Sequence, residues 1–281
     1  MAEQPAGHPT ASKKNSIPVL NQNSWREFRG VPQNAGINPT THLATVADDK
    51  GTLRSCFVKL LHNSPALLCE ALGYILADAS GVSIPPFGAI LLVPVDKLKQ
   101  HVSLPNELAN LNVCPAWCCE LVAGKSVRQI NQWEFFYNLD ALYKSEHASK
   151  IAAFDQWTDL QDRNFGNVIR SDGGRFTAID HETLLHEIVW GLYGLKWEKR
   201  CLTEAAKNHL SGEDFKRFQV SMVEVSERHA TAASEAALLV EKTIDRLCPP
   251  NLVPQLKPSI LSMLQHRSQP GWMSQHLKVL A

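Results

Sequence analysis

The first part of the chain alternates apolar and polar positions in the way that β-strands do. Residues 43–46 form an apolar, β-branched run, residues 48–51 read Asp-Asp-Lys-Gly, and residues 54–61 form a second apolar run. A turn sequence between two such runs predicts an antiparallel hairpin. Further apolar runs at 87–95 and 117–122 predict two more strands.

A helix is predicted between these strands. Ser64 suits the N-cap, Pro65 suits the first helical position, and Gly81 suits a helix end. Between them, apolar residues recur at helical spacing. They are Leu67, Leu68, Ala71, Leu72, Ile75 and Leu76.

From residue 131 onward the pattern becomes mainly helical. One hairpin interrupts it, with residues 168–169 and 176–179 on either side of a Ser-Asp-Gly-Gly turn. The helices predicted after Lys196 cover residues 200–210, 213–229, 231–247 and 255–266.

These elements predict an α+β protein with a small β-rich lobe and a larger α-helical lobe. Polar residues, proline and glycine in residues 1–24 predict a disordered arm. We expect the small lobe and its linker at 25–122, and the helical lobe with one hairpin at 123–281.

Charge and cysteine content narrow the choice of function and location. The chain has 28 Lys and Arg against 28 Asp and Glu, so no overall charge favours nucleic acid or an anionic membrane. Seven scattered cysteines predict reduced thiols and a cytoplasmic location. Cys114, Cys118 and Cys119 cluster without a second Cys or His pair, which favours packing over zinc binding.

Three residues of the second half carry the candidate chemistry. Asp162 and Asn167 are five positions apart, and Asp180 follows the hairpin. The hairpin brings Asn167 and Asp180 side by side, where their oxygens could hold Mg²⁺, and Asp162 could accept a proton from a hydroxyl. This spacing also occurs in protein-kinase catalytic loops. The alternative is that all three are ordinary turn residues.

Two residues of the first half complete this set. Lys59 interrupts an apolar strand, and Glu70 lies on the following helix. A lysine in such a run usually extends its ammonium to solvent, and a helical glutamate is usually a surface residue. In a kinase-like fold, this lysine instead reaches the ATP phosphates and pairs with the glutamate.

The order of these segments resembles the HipA-like kinase family, and the wider group that includes phosphatidylinositol kinases. The resemblance extends over about residues 30 to 190. The segments that carry it are residues 57–59, 70–77, 81–86, 162–167 and 179–181. It implies a bilobal protein-kinase-like fold, with ATP and Mg²⁺ as cofactors.

The resemblance also implies a role for each residue. Lys59 would contact the ATP phosphates, Glu70 would position Lys59, and Asp162 would be the catalytic aspartate. Asn167 and Asp180 would bind Mg²⁺. The backbone of the linker strand would hold adenine, and a turn at residues 36–41 would cover the phosphates. The residues implied there are Glu120, Val122, Asn38, Thr40 and Thr41.

The sequence departs from this family at one position. Relatives often have histidine two residues after the catalytic aspartate, where this chain has Asn164. Asparagine cannot titrate, so Asp162 is left as the obvious proton acceptor. His181 could contact phosphate, or could be a packed or a solvent-facing histidine.

We therefore expect a Mg²⁺-ATP-dependent kinase whose acceptor is a hydroxyl of a protein, most simply Ser or Thr, or of a small soluble molecule. One alternative is a phosphoinositide-type kinase. No Lys or Arg follows Asp180 until Lys196, which disfavours that alternative unless Lys196, Lys199 and Arg200 reach the site. The other alternative is a nucleotide-binding pseudokinase that acts as an interaction module.

Overall fold

The computed structural model describes residues 16–32, 40–62, 64–130 and 132–279. Within these ranges the first half forms a six-stranded sheet in the order β1-β5-β6-β4-β3-β2, antiparallel except between β1 and β5. Its strands are Val19–Leu20 (β1), Trp25–Gly30 (β2), His42–Ala47 (β3), Leu53–Leu60 (β4), Gly88–Pro94 (β5) and Val113–Glu120 (β6).

The predicted hairpin is confirmed, and its side-chain alternation decides which face Lys59 occupies. β3 and β4 pair in antiparallel register from His42 with Val58 to Ala47 with Leu53. Successive side chains of a strand point to opposite faces. Val58 is buried on the sheet face covered by the short helices α2 (Val95–Leu98) and α3 (Asn106–Ala109). Lys59 therefore points to the other face.

Helix α1 (Ser64–Ser80) covers that other face. Its residues 65–77 are all buried, because the sheet lies on one side and helix α8 on another. The helix ends where predicted, at Gly81, whose φ of +76° lies in the left-handed region that glycine adopts without strain.

The second half is mainly helical, as predicted. Its helices are Gln132–Tyr143 (α4), Glu146–Trp157 (α5), Leu202–His209 (α6), Gly212–Ser226 (α7), His229–Leu247 (α8), Val253–Arg267 (α9) and Trp272–Leu277 (α10). The predicted hairpin is present within a small sheet of Lys125–Ser126 (β7), Val168–Arg170 (β8) and Phe176–Ala178 (β9). Sequence patterning missed α10, which is only six residues long.

The end of the predicted disordered arm, at residue 24, needs correction. Ile17 and Leu20 are only 5% and 4% exposed, and β1 pairs in parallel with β5. A strand of two residues leaves no periodic pattern for sequence analysis to detect. Residues 16–24 thus belong to the fold, whereas residues 1–15 lie outside the described ranges.

Within the described ranges, none of the helices combines the length and the apolar character needed to cross a bilayer.

Helix α8 meets α5 through an aromatic stack that is sensitive to acid. His229 stacks on Trp157 with ring centroids 4.5 Å apart, and its Nδ1 is buried without a partner in the described structure. Burial lowers the pKa of His229 to about 4. Because the unfolded chain binds this proton more readily, the contribution of His229 to stability is lost as pH falls below about 6.5.

We predict that His229→Phe reduces acid destabilisation. Phenylalanine keeps the stack but binds no proton, so between pH 7 and pH 5 the variant should lose about 2 kcal/mol less unfolding free energy than the wild type. Urea unfolding at both pH values measures this. The exposed His62 provides the control His62→Phe. Parallel pH profiles for wild type and His229→Phe would contradict the prediction.

Candidate active site

Three elements bring their charged side chains together between the sheet and the helical lobe. Lys59 Nζ on β4 lies 3.5 Å from Glu70 Oε1 on α1 and 3.2 Å from Asp180 Oδ1 after β9. It also contacts the carboxylate of Glu182. Residues 59 and 180 are 121 positions apart in sequence, so tertiary structure alone brings them together.

Backbone geometry fixes the loop that carries Asp180. Asp180 has a φ of +62°, an uncommon conformation for a residue with a side chain. The next backbone N–H, that of His181, donates to Glu70 Oε2 at 2.9 Å. Glu70 therefore binds Lys59 through one carboxylate oxygen and the loop that carries Asp180 through the other.

The cluster carries surplus negative charge. One ammonium, Lys59, faces the three carboxylates of Glu70, Asp180 and Glu182, which leaves a formal charge of −2. Carboxylate oxygens of these three residues lie within 4.8 Å of one another. A hard divalent cation such as Mg²⁺ prefers oxygen ligands of this kind and would balance the surplus.

Burial and the neighbouring charges together shift the pKa values of Lys59, Glu70 and Asp180. Burial lowers the pKa of Lys59, but Asp180, Glu70 and Glu182 outweigh burial and hold it well above its usual range. Burial raises the pKa of Glu70 to about 8, against the opposing effect of Lys59. Burial also acts to raise the pKa of Asp180, but the Lys59 ammonium holds it below its usual range. Of Glu70 and Asp180, Asp180 is thus the carboxylate better suited to stay ionised.

Hydrogen bonds of Asn167 fix the predicted catalytic loop. Asn167 Nδ2 donates to the carbonyl of Asp162 at 3.0 Å, which turns its amide oxygen away from that contact. Ile179 N–H donates to the Asn167 carbonyl at 3.1 Å. The hairpin therefore brings Asn167 next to the residue before Asp180, as its sequence spacing predicts.

Asn164 has a structural role that its position in sequence did not reveal. Its Nδ2 donates to Asp162 Oδ1 at 3.0 Å, and its Oδ1 accepts from Gly166 N–H at 2.8 Å. Asn164 thus orients the Asp162 carboxylate and caps the short helical turn that follows.

Sequence analysis missed the role of Arg163, the residue after Asp162. Its guanidinium is fully buried and forms an ion pair with Asp155 of α5 at 3.1 Å. It also donates to the carbonyl of Ile179 at 2.5 Å and to that of Asn167 at 3.4 Å. Arg163 therefore ties the catalytic loop to the loop that carries Asp180, and only its neighbours in sequence hinted at this.

His181 is a packed histidine, which decides between the alternatives left by the sequence. It is buried against Phe154 with ring centroids 5.7 Å apart. Burial, with the Arg163 guanidinium nearby, lowers the pKa of His181 to about 3. Its neutral ring lies beside Gly73 of α1, where a Cβ atom would be 2.2 Å from the His181 Cβ.

The segment that follows β6 contains a backbone N–H without a partner among the described residues. Glu120 N–H donates to the Phe87 carbonyl at 2.9 Å, and the Glu120 carboxylate binds Arg54 at 2.8 Å. Val122 lies beyond the strand end, and its N–H has no partner among the described residues. Of the two linker residues implied by the resemblance, Val122 is the one with an available N–H.

The predicted phosphate-covering turn lies mostly outside the described residues, and Asn38 is among those excluded. Thr40 is buried and its hydroxyl donates to the Leu60 carbonyl at 3.4 Å. Thr41 is half-buried and lies just before β3. Thr40 is therefore anchored to the strand that carries Lys59, and its phosphate contact stays a prediction.

Comparison with solved structures identifies the architecture. The chain is similar to the crystal structure of the proinflammatory kinase CtkA from Helicobacter pylori, with a TM-score of 0.53 and 10% sequence identity. The similarity covers 94% of this chain and 100% of CtkA. The fold is bilobal and protein-kinase-like. This confirms the predicted α+β architecture, with a β-rich amino-terminal lobe and a helical carboxy-terminal lobe.

Sequence comparison adds no family assignment to this structural likeness. No protein-family model matches the chain, and no curated protein matches it significantly. An identity of 10% supports the common fold and nothing finer. The roles of individual residues therefore depend on the geometry described above.

We predict that Gly73→Ala destabilises the protein by about 2 kcal/mol. Alanine normally improves a helix by up to about 1 kcal/mol, but here its Cβ would overlap His181 and force α1 away from the Asp180 loop. Thermal unfolding measures the loss. Gly212→Ala is the matched control, because a Cβ at that helical glycine meets nothing within 4 Å. Equal stability of the two variants would contradict the prediction.

Proposed function

We propose that the protein is a HipA-like, Mg²⁺-ATP-dependent kinase that transfers the γ-phosphoryl group to a hydroxyl, most simply that of a protein Ser or Thr. One observation carries this proposal. Lys59, Glu70 and Asp180 come from three separate elements and meet within 3.5 Å of the Lys59 ammonium. A lysine–glutamate pair beside a metal-binding aspartate is the arrangement that kinases use for ATP phosphates.

The donor set around Lys59 fits a magnesium ion. Asp180 would bind it through a carboxylate oxygen, and Asn167 through the amide oxygen that its contact with Asp162 leaves available. Glu182, which the sequence did not suggest, adds a second carboxylate on the same side of Lys59. Bound Mg²⁺ would neutralise charge on the nucleotide phosphates.

The residues of the catalytic loop support proton transfer from the acceptor. Asp162 would take the hydroxyl proton as the oxygen attacks the γ-phosphorus, and the bond from that phosphorus to the β-phosphate oxygen breaks. Its electron pair leaves with ADP. Asn164 keeps the carboxylate in orientation through its bond to Oδ1. Lys59 would exchange a carboxylate partner for phosphate oxygens.

The remaining assignments complete the proposal. Val122 would bind adenine through its free N–H, with Glu120 beside it. The turn containing Asn38, Thr40 and Thr41 would cover the phosphates. We also propose that the β-rich lobe ends at residue 122 and the helical lobe starts at residue 123. The proposed location is cytoplasmic.

The identity of the acceptor is the least constrained part of the proposal. The sequence argument against a lipid acceptor relied on the absence of basic residues soon after Asp180. In space, however, Arg200 lies against Asp162 at 2.9 Å, so distance in sequence is a weak argument. A phosphoinositide-type kinase is therefore the second candidate, and a nucleotide-binding pseudokinase is the outcome if no transfer occurs.

We predict that Asp180→Asn and Asp162→Asn fail at different steps. Asp180→Asn should lose Mg²⁺-dependent ATP binding, because it removes a charged metal ligand. Asp162→Asn should still bind Mg²⁺-ATP but transfer phosphate about 100-fold to 10,000-fold more slowly, the usual contribution of a general base. Titration calorimetry and incubation with γ-labelled ATP measure the two effects.

Controls separate these effects from misfolding and identify the acceptor. Asp172→Asn changes an exposed carboxylate in the β8–β9 turn and should behave as wild type. Labelled phosphate should appear in protein, and not in vesicles that contain phosphatidylinositol. Label in the lipid alone would favour the second candidate, whereas Mg²⁺-ATP binding without any transfer would favour the pseudokinase. Full activity of Asp180→Asn would contradict the metal assignment.

A further inference from the structure

Arg200 is bound to the catalytic loop by its backbone, although it lies 38 positions after Asp162. Arg200 N–H donates to the Gln161 carbonyl at 2.8 Å, and Arg163 N–H donates to the Arg200 carbonyl at 2.8 Å. These bonds form a parallel bridge between Asp162 and Arg200. The backbone alone therefore fixes where the Arg200 side chain starts.

The Arg200 guanidinium lies on the carboxylate that would accept the proton. Its Nη2 donates to Asp162 Oδ2 at 2.9 Å, while Asn164 binds the other carboxylate oxygen. The Arg200 side chain is 39% exposed, so part of the guanidinium faces solvent. Its Nε is buried and has no partner among the described residues. Since a guanidinium has five N–H donors, most remain for a ligand.

The neighbouring cations have other partners. Lys59 is bound by three carboxylates, and Arg163 is fully buried against Asp155. Asn164, which follows Asp162 by two positions, is neutral. Among the described residues, Arg200 is the one Lys or Arg in an ion pair with Asp162.

We propose that Arg200 is a catalytic residue that binds the phosphoryl group during its transfer. This inference depends on the proposed kinase function. An acceptor hydroxyl bonded to Asp162 must lie within about 3 Å of it, and the phosphorus under attack lies about 3 to 3.5 Å from that hydroxyl. A guanidinium on the same carboxylate is thus within reach of the phosphoryl oxygens.

The step balances without any further reactant. The hydroxyl oxygen forms a bond to the γ-phosphorus, its proton goes to Asp162, and the bond to the β-phosphate oxygen breaks with its electron pair on ADP. Negative charge is spread over the phosphoryl oxygens during this exchange. Arg200 would donate to those oxygens from the side of Asp162. Lys59 would bind the phosphates from the sheet.

A purely structural role for Arg200 makes a different prediction. The two backbone bonds do not involve the guanidinium, so a substitution at residue 200 should leave the bridge in place. If the side chain served only to hold the loop, its loss would lower thermal stability and nucleotide affinity together. A catalytic role affects the transition state and leaves nucleotide affinity unchanged.

The test compares Arg200→Met and Arg200→Lys with the control Lys199→Met, which removes an exposed charge one residue away. One assay measures autophosphorylation and ATP hydrolysis with γ-labelled ATP and no added acceptor. The other measures the affinity for Mg²⁺-ADP with and without aluminium fluoride, which mimics the phosphoryl group in transfer. Both use the full chain.

We expect Arg200→Met to lower turnover about 100-fold or more, the effect of removing one donor to developing charge. It should abolish the tighter ADP binding that aluminium fluoride gives, while affinity for Mg²⁺-ADP alone and melting temperature stay as in wild type. Arg200→Lys should recover part of both effects, because it restores charge without the planar fork. Lys199→Met should match wild type.

Three results with Arg200→Met would overturn the inference. They are an Arg200→Met protein that retains turnover, one that retains the aluminium fluoride effect, and one that loses stability and Mg²⁺-ADP affinity together. A wild type that binds Mg²⁺-ADP without any aluminium fluoride effect overturns it as well. If the wild type neither binds Mg²⁺-nucleotide nor transfers phosphate, the proposed function itself fails; the other results leave that function standing.

Discussion

The buried ammonium of Lys59 is the constraint on which the rest of the structure depends. An unpaired charge in a protein interior is very costly, so Lys59 needs carboxylates within contact distance. Glu70 and Asp180 supply them from α1 and from the loop after β9. Three elements must therefore meet at one point. The buried apolar face of α1 and the missing side chain of Gly73 let them approach closely enough.

One ion pair and one charged cluster lie at this centre, and they differ in charge balance. The Arg163–Asp155 pair is balanced, fully buried and supplemented by backbone carbonyls, which is the condition under which a buried pair can hold a structure together. The Lys59 cluster has a formal charge of −2 and is only partly shielded from solvent. Like charges in a low-dielectric site repel strongly. The Arg163–Asp155 pair therefore maintains geometry, whereas a bound cation would stabilise the Lys59 cluster.

Local pattern was enough to predict the architecture, whereas the roles of the site residues came from the resemblance to HipA-like kinases. Lys59 was identifiable because it interrupts an apolar strand, and Asn167 and Asp180 because a hairpin joins its own ends. Glu182 was not recognised, and Arg200 was considered only as one of three basic residues for a lipid acceptor, because both positions depend on how the chain returns to the Asp162 loop. For Asn164, the sequence indicated only that HipA-like kinases often have histidine at this position. Its two hydrogen bonds exist only in the folded turn.

The segment between Asp180 and Arg200 has two anchored ends and an exposed middle part. Both of its ends are fixed to the centre, Asp180 through Lys59 and Arg200 through backbone bonds to the catalytic loop. Between them the chain passes through a π-helical turn, His186–Trp190, and then an exposed stretch at 191–196. Residues in that stretch can change without moving either end. Under the proposed function, the exposed stretch is therefore the part of this segment to test for contacts with the acceptor, because exposed loops commonly carry specificity.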